Sequence, residues 1–526
     1  MQRAAFLASS EQRRSPYDLL VIGGGANGAG IALDAARRGL EVLLLERGDF
    51  GCGTSSRSSK LIHGGIRYLA LAQFGLVKEA LHERALLLRN AAGLVKPLPF
   101  VIPASSRAEL YKFAAGLKLY DWLAGEHRIA RSRRLNASEA RRLVPQLGLA
   151  SLVGAVVYTD AQFDDARLLF AILRSAAASG ATLLNHMQVT ALEKNARGRL
   201  RGVTAHDAVG HRSLHFEARV VVNASGVHGD AIRRLAEPSL RAEVLPSQGT
   251  HVVLPRTFHA SDHALVLPRT PDGRLMFAMP WHGQVLLGTT DTVLGQLEDP
   301  PVPQAQEIDM ILNVAARFLA RAPRRADVLS VFAGVRPLAA APGSGRSSKV
   351  SREHAITVDA SGLVSVSGGK WTTYRRVAEQ CVDVAAKSIG LRTNPCTTHE
   401  FELLSEAREA NGVDAVGFPM RGIAQLVAEQ PALAAPLHTS LPYSGAHFAW
   451  AARAEMAQNV ADALCYHSRA LFIDARAAAE ITPRVAAIMA AELGQDTPWV
   501  ARQIEHARQI AARYILTPIP VRETRG

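Results

Sequence analysis

Gly23, Gly25 and Gly28 hold the spacing G-x-G-x-x-G directly after a short apolar run from Tyr17 to Ile22. The chemistry such a turn supports is the binding of a dinucleotide pyrophosphate. The first glycine allows a tight turn out of a strand. The second keeps a side chain away from the phosphates, and the third lets the following helix pack closely on the sheet. The helix start then offers free N–H groups and the positive end of its dipole. A second apolar run ends in Glu46, at about the distance expected of an acid that binds ribose hydroxyls. A bare glycine motif is weak, but one framed by two apolar strands and a terminal Glu predicts a dinucleotide site.

These residues need a scaffold, and 526 residues suit two or three domains with a large core. The first βαβ unit covers about 17–46, and a Ser/Thr-rich loop follows at 53–60. Leucines on a helical period predict a helix at about 75–90. Residues 151–158 read as a strand, Asp164 or Asp165 as a cap for a helix at 166–179, and 181–189 as a returning strand. The segment 200–217 reads as β-structure, and Arg219–Gly226 as a buried strand ending in a glycine turn. Short strands with turn residues such as Pro271-Asp272-Gly273 fill 244–291. The stretch 342–349 has the composition of a surface loop. A strand, Gly368-Gly369 and a helix recur at 363–386, and beyond about 400 the pattern is helical.

The organisation expected is therefore discontinuous. Residues 17–95, 150–240 and 350–395 form the nucleotide domain, interrupted by 96–149 and 241–349 as a β-rich substrate domain, with 400–526 as a helical C-terminal domain. Residues 1–16 are polar, carry Arg3, Arg13 and Arg14, lack the apolar core of a signal peptide, and are expected to be a disordered arm. Cys52, Cys381, Cys396 and Cys465 show no metal-ligand spacing and fit a reducing compartment. No apolar run reaches the length of about 18 residues that a spanning helix needs. The formal charge of +13 suits anionic partners, and no nucleic-acid module is present.

Five stretches together carry a family resemblance: Ile22–Ile31, Thr54–Leu69, Gly288-Thr-Thr-Asp-Thr292, Gly334-Val-Arg-Pro-Leu338 and Gly368-Gly-Lys-Trp-Thr-Thr-Tyr-Arg375. Arg469–Arg476 extends it into the C-terminal helices. The sequence resembles the FAD-dependent, quinone-linked glycerol-3-phosphate dehydrogenases over nearly its whole length. The resemblance implies an α/β flavoprotein of the D-amino-acid-oxidase type. It has a Rossmann-like FAD domain, a β-rich substrate domain and a helical C-terminal domain. It implies oxidation of sn-glycerol 3-phosphate to dihydroxyacetone phosphate, with electrons leaving through FAD to a membrane quinone. An oxygen-reducing oxidase of similar fold, acting on glycerophosphate or an amino acid, is the competing reading.

The resemblance also distributes roles. Gly23, Gly25, Asn27 and Gly28 would hold the FAD pyrophosphate and Glu46 the ribose. Thr54, Ser55, Ser59, Gly368, Gly369, Lys370 and Thr372 would complete the FAD site; from the residues alone the 53–60 loop reads as a solvated turn. A phosphate dianion calls for fixed cations, best as Arg forks. Arg67, Tyr68, Arg336, Arg352 and Lys370 are the substrate residues implied. Oxidising a secondary alcohol needs a proton acceptor. His251 is the first candidate, although by itself it reads as a core histidine, and His63 and Arg67 are alternatives. Gln248 stands where many relatives carry Lys and receives no role. Residues 107–134 mix Tyr111, Phe113, Leu117, Tyr120 and Trp122 with Arg107, Lys112, Lys118, Arg128, Arg131, Arg133 and Arg134. That pattern reads equally as an amphipathic helix packed on its own domain; the quinone-linked resemblance implies peripheral contact with anionic lipid on the cytoplasmic face of the cell membrane. A homodimer is compatible with the sequence.

Overall fold

The computed structural model describes residues 1–268, 275–339, 354–403 and 412–516, apart from the side chains of Arg67 and Ala70. Two large sheets organise the chain. In the first, the strands run in the order Ala355–Val358, Val364–Ser367, Arg212–Asn223, Tyr17–Ile22, Val42–Leu45, Thr182–Leu184. Tyr17–Ile22 pairs in parallel with both neighbours, Leu20 opposing Leu43 on one side and Val221 on the other. Val42–Leu45 is buried at every position, as a parallel strand covered on both faces must be. The helices Ala26–Arg37, Asp165–Ala178 and Tyr374–Ser388 pack together over one face. An antiparallel ribbon, Met187–Lys194 with Leu200–Asp207, is joined to the sheet through Arg212–Asn223.

The second sheet has the order Thr292–Val293, Val244–Pro255, Gln284–Gly288, Met276–Trp281, Ala264–Leu267, Val95–Ala104, Gly154–Phe163, Leu61–Ile62. Ser330–Ala339 adds to Val244–Pro255, and Arg133–Asn136 to Gly154–Phe163. The C-terminal segment is helical, with Gly445–Glu455, Ala475–Leu493 and Thr497–Ala512 as its longer described helices.

Several expectations need correction. Residues 3–12 form a helix, not a disordered arm. Arg3 is buried against Asp207 at 2.6 Å and donates to the Asn185 carbonyl, while Phe6 and Leu7 pack on the core beside the antiparallel ribbon. A buried partner far along the chain supplies what local composition lacks. Gly154–Phe163, expected in the nucleotide domain, pairs with Val95–Ala104 in the second sheet. The single strand expected at 181–189 is two strands of the first sheet, Thr182–Leu184 beside Val42–Leu45 and Met187–Lys194 in the antiparallel ribbon, broken at Asn185-His186, where His186 has φ of +52°. The helix expected at 166–179 is Asp165–Ala178, and Asp164 is its cap, accepting from the Ala166 and Arg167 N–H groups at 3.0 Å. The turn at 271–273, the loop at 342–349 and Arg352 lie outside the described residues.

Candidate functional site

The glycine turn has the geometry its spacing predicts. Gly23 sits at φ +111°, and a β-carbon there would lie 2.7 Å from the Ala224 carbonyl oxygen, so side chains are excluded twice over. A β-carbon on Gly28 would collide with the Gly23 carbonyl oxygen, which is the close helix–strand packing expected. Gly25 caps the Ala26–Arg37 helix, and the Ala26 N–H donates to Ser55 Oγ at 2.9 Å. Glu46 ends its strand beside this turn. One carboxylate oxygen accepts from the Gly24 N–H at 2.7 Å and the other from the Gly48 N–H at 3.0 Å. Glu46 thus braces the turn from beneath, whatever else it binds.

The second glycine turn meets the first. The Asn27 side-chain amide donates to the Gly368 carbonyl at 3.4 Å, and Trp371 Nε1 donates to the Ser55 carbonyl at 2.8 Å. Thr372 Oγ1 accepts from the His63 N–H at 3.2 Å. Lys370 Nζ lies 3.7 Å from the centroid of the Tyr68 ring, a cation–π contact.

The 53–60 loop ties this cradle to the second sheet. Ser55 faces the helix start, Thr54 Oγ1 donates to the Val335 carbonyl at 2.5 Å, and Ser59 Oγ is hydrogen-bonded to His251 Nε2 at 2.9 Å. His251 stands opposite Gly288 on one neighbouring strand and Phe332 on the other, and its ring stacks on Phe332 with centroids 4.8 Å apart. Strand alternation puts Gly249 on the same face as His251. The Arg336 guanidinium lies directly over Gly249, where a β-carbon would collide with it. It donates to the Gln248 carbonyl at 3.3 Å, Thr289 Oγ1 at 3.3 Å and the Thr290 carbonyl at 3.1 Å, with Asp291 at 3.5 Å. Gln248 and Thr250 face the other way and donate to Glu307 at 2.8 and 2.7 Å. Gln248 is thus a brace for the strand on the far face from His251.

Electrostatically, burial first, then Lys60, then Arg336 hold the His251 imidazole well below the usual histidine range. Its Nδ1 has no hydrogen-bond partner among the described residues. The ring is therefore neutral at physiological pH, and its proton acceptor is set beside a cation.

The structure therefore brings together Gly23, Gly25, Asn27, Gly28, Glu46, Ser55, Gly368 and Gly369 at the cradle, and Thr54, Ser59, His251 and Arg336 on its second-sheet side. His63, Tyr68, Lys370 and Thr372 form the adjoining edge. Sequence reasoning did not assign Thr289, Thr290 or Asp291, although they lie in a quoted motif, nor Lys60, whose buried partner Asp165 lies far along the chain.

Comparison with known proteins points to an FAD-binding fold. Residues 18–375 match the model of FAD dependent oxidoreductases, and residues 365–498 that of the C-terminal domain of alpha-glycerophosphate oxidase. The chain is 36% identical over 535 residues to human mitochondrial glycerol-3-phosphate dehydrogenase, covering 95% of this chain and 73% of that protein. It is 36% identical over 553 residues to the mitochondrial glycerol-3-phosphate dehydrogenase of Arabidopsis thaliana, covering 97% and 87%. The crystal structure of glycerol-3-phosphate dehydrogenase from Bacillus halodurans complexed with FAD superposes with a TM-score of 0.75 at 27% identity, covering 98% and 99% of the two chains.

Proposed function

The chain belongs to the family of FAD-dependent glycerol-3-phosphate dehydrogenases, and from that premise we propose that it oxidises sn-glycerol 3-phosphate to dihydroxyacetone phosphate and passes the electrons to a membrane quinone. The fold is of the D-amino-acid-oxidase type with a helical C-terminal domain, and the cofactor is FAD. The residues present fit it: a side-chain-free turn at Gly23–Gly25 opens onto a helix start, and Gly368-Gly369 faces it across Asn27. Bound there, FAD supplies the acceptor for the hydride that leaves the alcohol carbon.

The observation that carries the reading is Arg336 lying over Gly249, one side-chain position from His251 on the same strand face. A phosphate-binding fork and a neutral imidazole stand side by side, joined by the Thr54–Ser59 loop to the cofactor cradle. Arg336 and Lys370 bind the phosphate; Arg352 and the side chain of Arg67 lie outside the described residues. His251 accepts the hydroxyl proton at Nε2, the nitrogen that faces Ser59. The arriving dianion offsets the two cations that disfavour the imidazolium, so the ring gains basicity when substrate is bound.

Quinone access requires a lipid-facing surface, and the Arg107–Ala124 helix supports one. Trp122 is 72% exposed and Tyr111 59%, with Leu119 on the same helix and Leu71 and Phe74 on the neighbouring segments also exposed. Arg107, Lys112, Lys118, Arg128, Arg131, Arg133 and Arg134 are exposed around them. Leu117 and Tyr120 turn inward instead, Tyr120 donating to Asp160 at 2.9 Å. No described helix is long and apolar enough to cross a membrane. The reading is peripheral contact at the cytoplasmic face, through aromatic edges and cations at an anionic interface.

Turnover with sn-glycerol 3-phosphate tests the acceptor. Reduction of a quinone analogue without stoichiometric peroxide is the expected result. Peroxide formed at the full rate of turnover would replace the quinone by oxygen and leave an oxidase.

A further inference from the structure

Behind the Ser59–His251 hydrogen bond lies a buried charge cluster that the proposed reaction does not otherwise use. Lys60 is fully buried. Its ammonium donates to the Ser56 carbonyl at 2.8 Å and to Asp165 Oδ2 at 2.7 Å. Asp165 also accepts from the Ser58 N–H and hydroxyl, and lies 3.4 Å from Arg469. Asp164, bonded to His282 at 2.8 Å, stands 4.0 Å from Arg469 Nε. The rings of Trp281, Phe332 and Phe472 close around the ammonium with centroids 5.3–5.6 Å away. Phe332 is the same ring on which His251 stacks. Consecutive residues of one loop thus grip the imidazole and anchor a cation against their shared aromatic wall.

A lysine buried this deeply costs stability unless its charge is paired. Stability alone would be served as well by an apolar side chain, so the retained charge calls for a use. We propose that Lys60 is a positioning residue for the His251 base: its ammonium, fixed behind the Ser59–His251 hydrogen bond, acts on the imidazole through charge and sets the pH at which the ring can take the substrate's proton. This rests on the reading of His251 as the proton acceptor.

The charges around both groups can be named. His251 is faced by Lys60 from the loop and Arg336 from the Ser330–Ala339 strand, while the Gln284–Gly288 strand presents only Gly288. Lys60 is faced by Asp164 and Asp165 from the start of the Asp165–Ala178 helix and by Arg469 from the C-terminal segment. Burial first, then Arg469, lowers the Lys60 ammonium to about 7, against the pull of Asp165 and Asp164. The charge that acts on His251 is therefore present below neutrality and fades above it. While Lys60 is charged the imidazole resists protonation from solvent and stays available to the substrate.

The test is the titration of His251 in the FAD-loaded protein, read by NMR of histidine labelled at Cε1 and assigned by its loss in His251→Gln. In Lys60→Met the imidazole should titrate about one pH unit or more higher than in the unaltered protein. The acid limb of anaerobic flavin reduction by sn-glycerol 3-phosphate should move with it. Lys60→Gln, which keeps a donor to Ser56 and Asp165, should give the same shift if the Met variant does not fold. A His251 titration that does not move in either flavin-bound variant overturns the proposal. The NMR signal reads Lys60 without turnover, so a wild-type flavin that substrate fails to reduce would sink the proposed reaction instead.

Discussion

His251 joins two demands that pull apart: a proton acceptor must be basic, and a ring buried between Lys60 and Arg336 is not. The substrate's own charge reconciles them, because a dianion at Arg336 restores basicity only where the reaction occurs. Replacing His251 by Ala should slow flavin reduction by about 10² to 10⁴ with FAD still bound. Stopped-flow bleaching measures this, and a normal rate would return the role to His63, Arg67 or solvent. Replacing Arg336 by Ala removes a charge-assisted fork worth about 1.5–3 kcal/mol and should raise KM by about 10- to 100-fold. An unchanged KM would take Arg336 out of the pocket. The motifs made Arg336 legible because Pro337 and the flanking glycine mark an extended, closely approached strand. Lys60 was not legible, because its partners Asp165 and Arg469 lie 105 and more residues away and no local pattern links them.

The Thr54–Lys60 segment ties the nucleotide helix to the second sheet. It touches the nucleotide helix through Ser55, the Arg336 strand through Thr54 and the base through Ser59. The turn it faces has no room for a side chain at Gly23 or Gly28. Gly23→Ala combines a φ of +111° with an approach of 2.7 Å to the Ala224 carbonyl, and it should yield protein that no longer retains FAD on gel filtration. Full flavin occupancy in that variant would contradict the cradle. The periodic helix at Phe74–Asn90 and the strands around the glycine turn were readable because their apolar pattern is local. The N-terminal helix and the break at Asn185-His186 were not, since Arg3, Asn185 and Asp207 stabilise one another only once the chain has folded.

At the scale of the molecule, the C-terminal helices are locked to the nucleotide domain by buried charge. His467 Nε2 is bonded to Asp49 at 2.7 Å and Nδ1 to Glu455 at 3.1 Å, while Arg167 forks onto Glu455 at 2.6 and 2.8 Å. Burial pulls the imidazolium down, but Asp49 and Glu455 more than offset this and raise it to about 9 from 6.5. A raised folded-state value means this contribution is complete below about pH 6.5 and is lost as pH rises through about 9. The thermal midpoint should fall across that window, and His467→Gln should lower it at pH 6 while flattening its alkaline decline; an unaltered slope would remove His467 from the lock. The exposed edge of Tyr111, Leu119 and Trp122 makes a separate prediction. Changing all three to Ser should weaken cosedimentation with anionic vesicles while leaving flavin reduction intact. Undiminished vesicle binding would place the lipid contact elsewhere. The central claim, a flavin and a phosphate-bearing alcohol held in one pocket, is tested most directly by adding sn-glycerol 3-phosphate to the oxidised holoprotein under anaerobic conditions. The account predicts that the visible flavin absorbance bleaches, and a bound flavin that stays oxidised would contradict it.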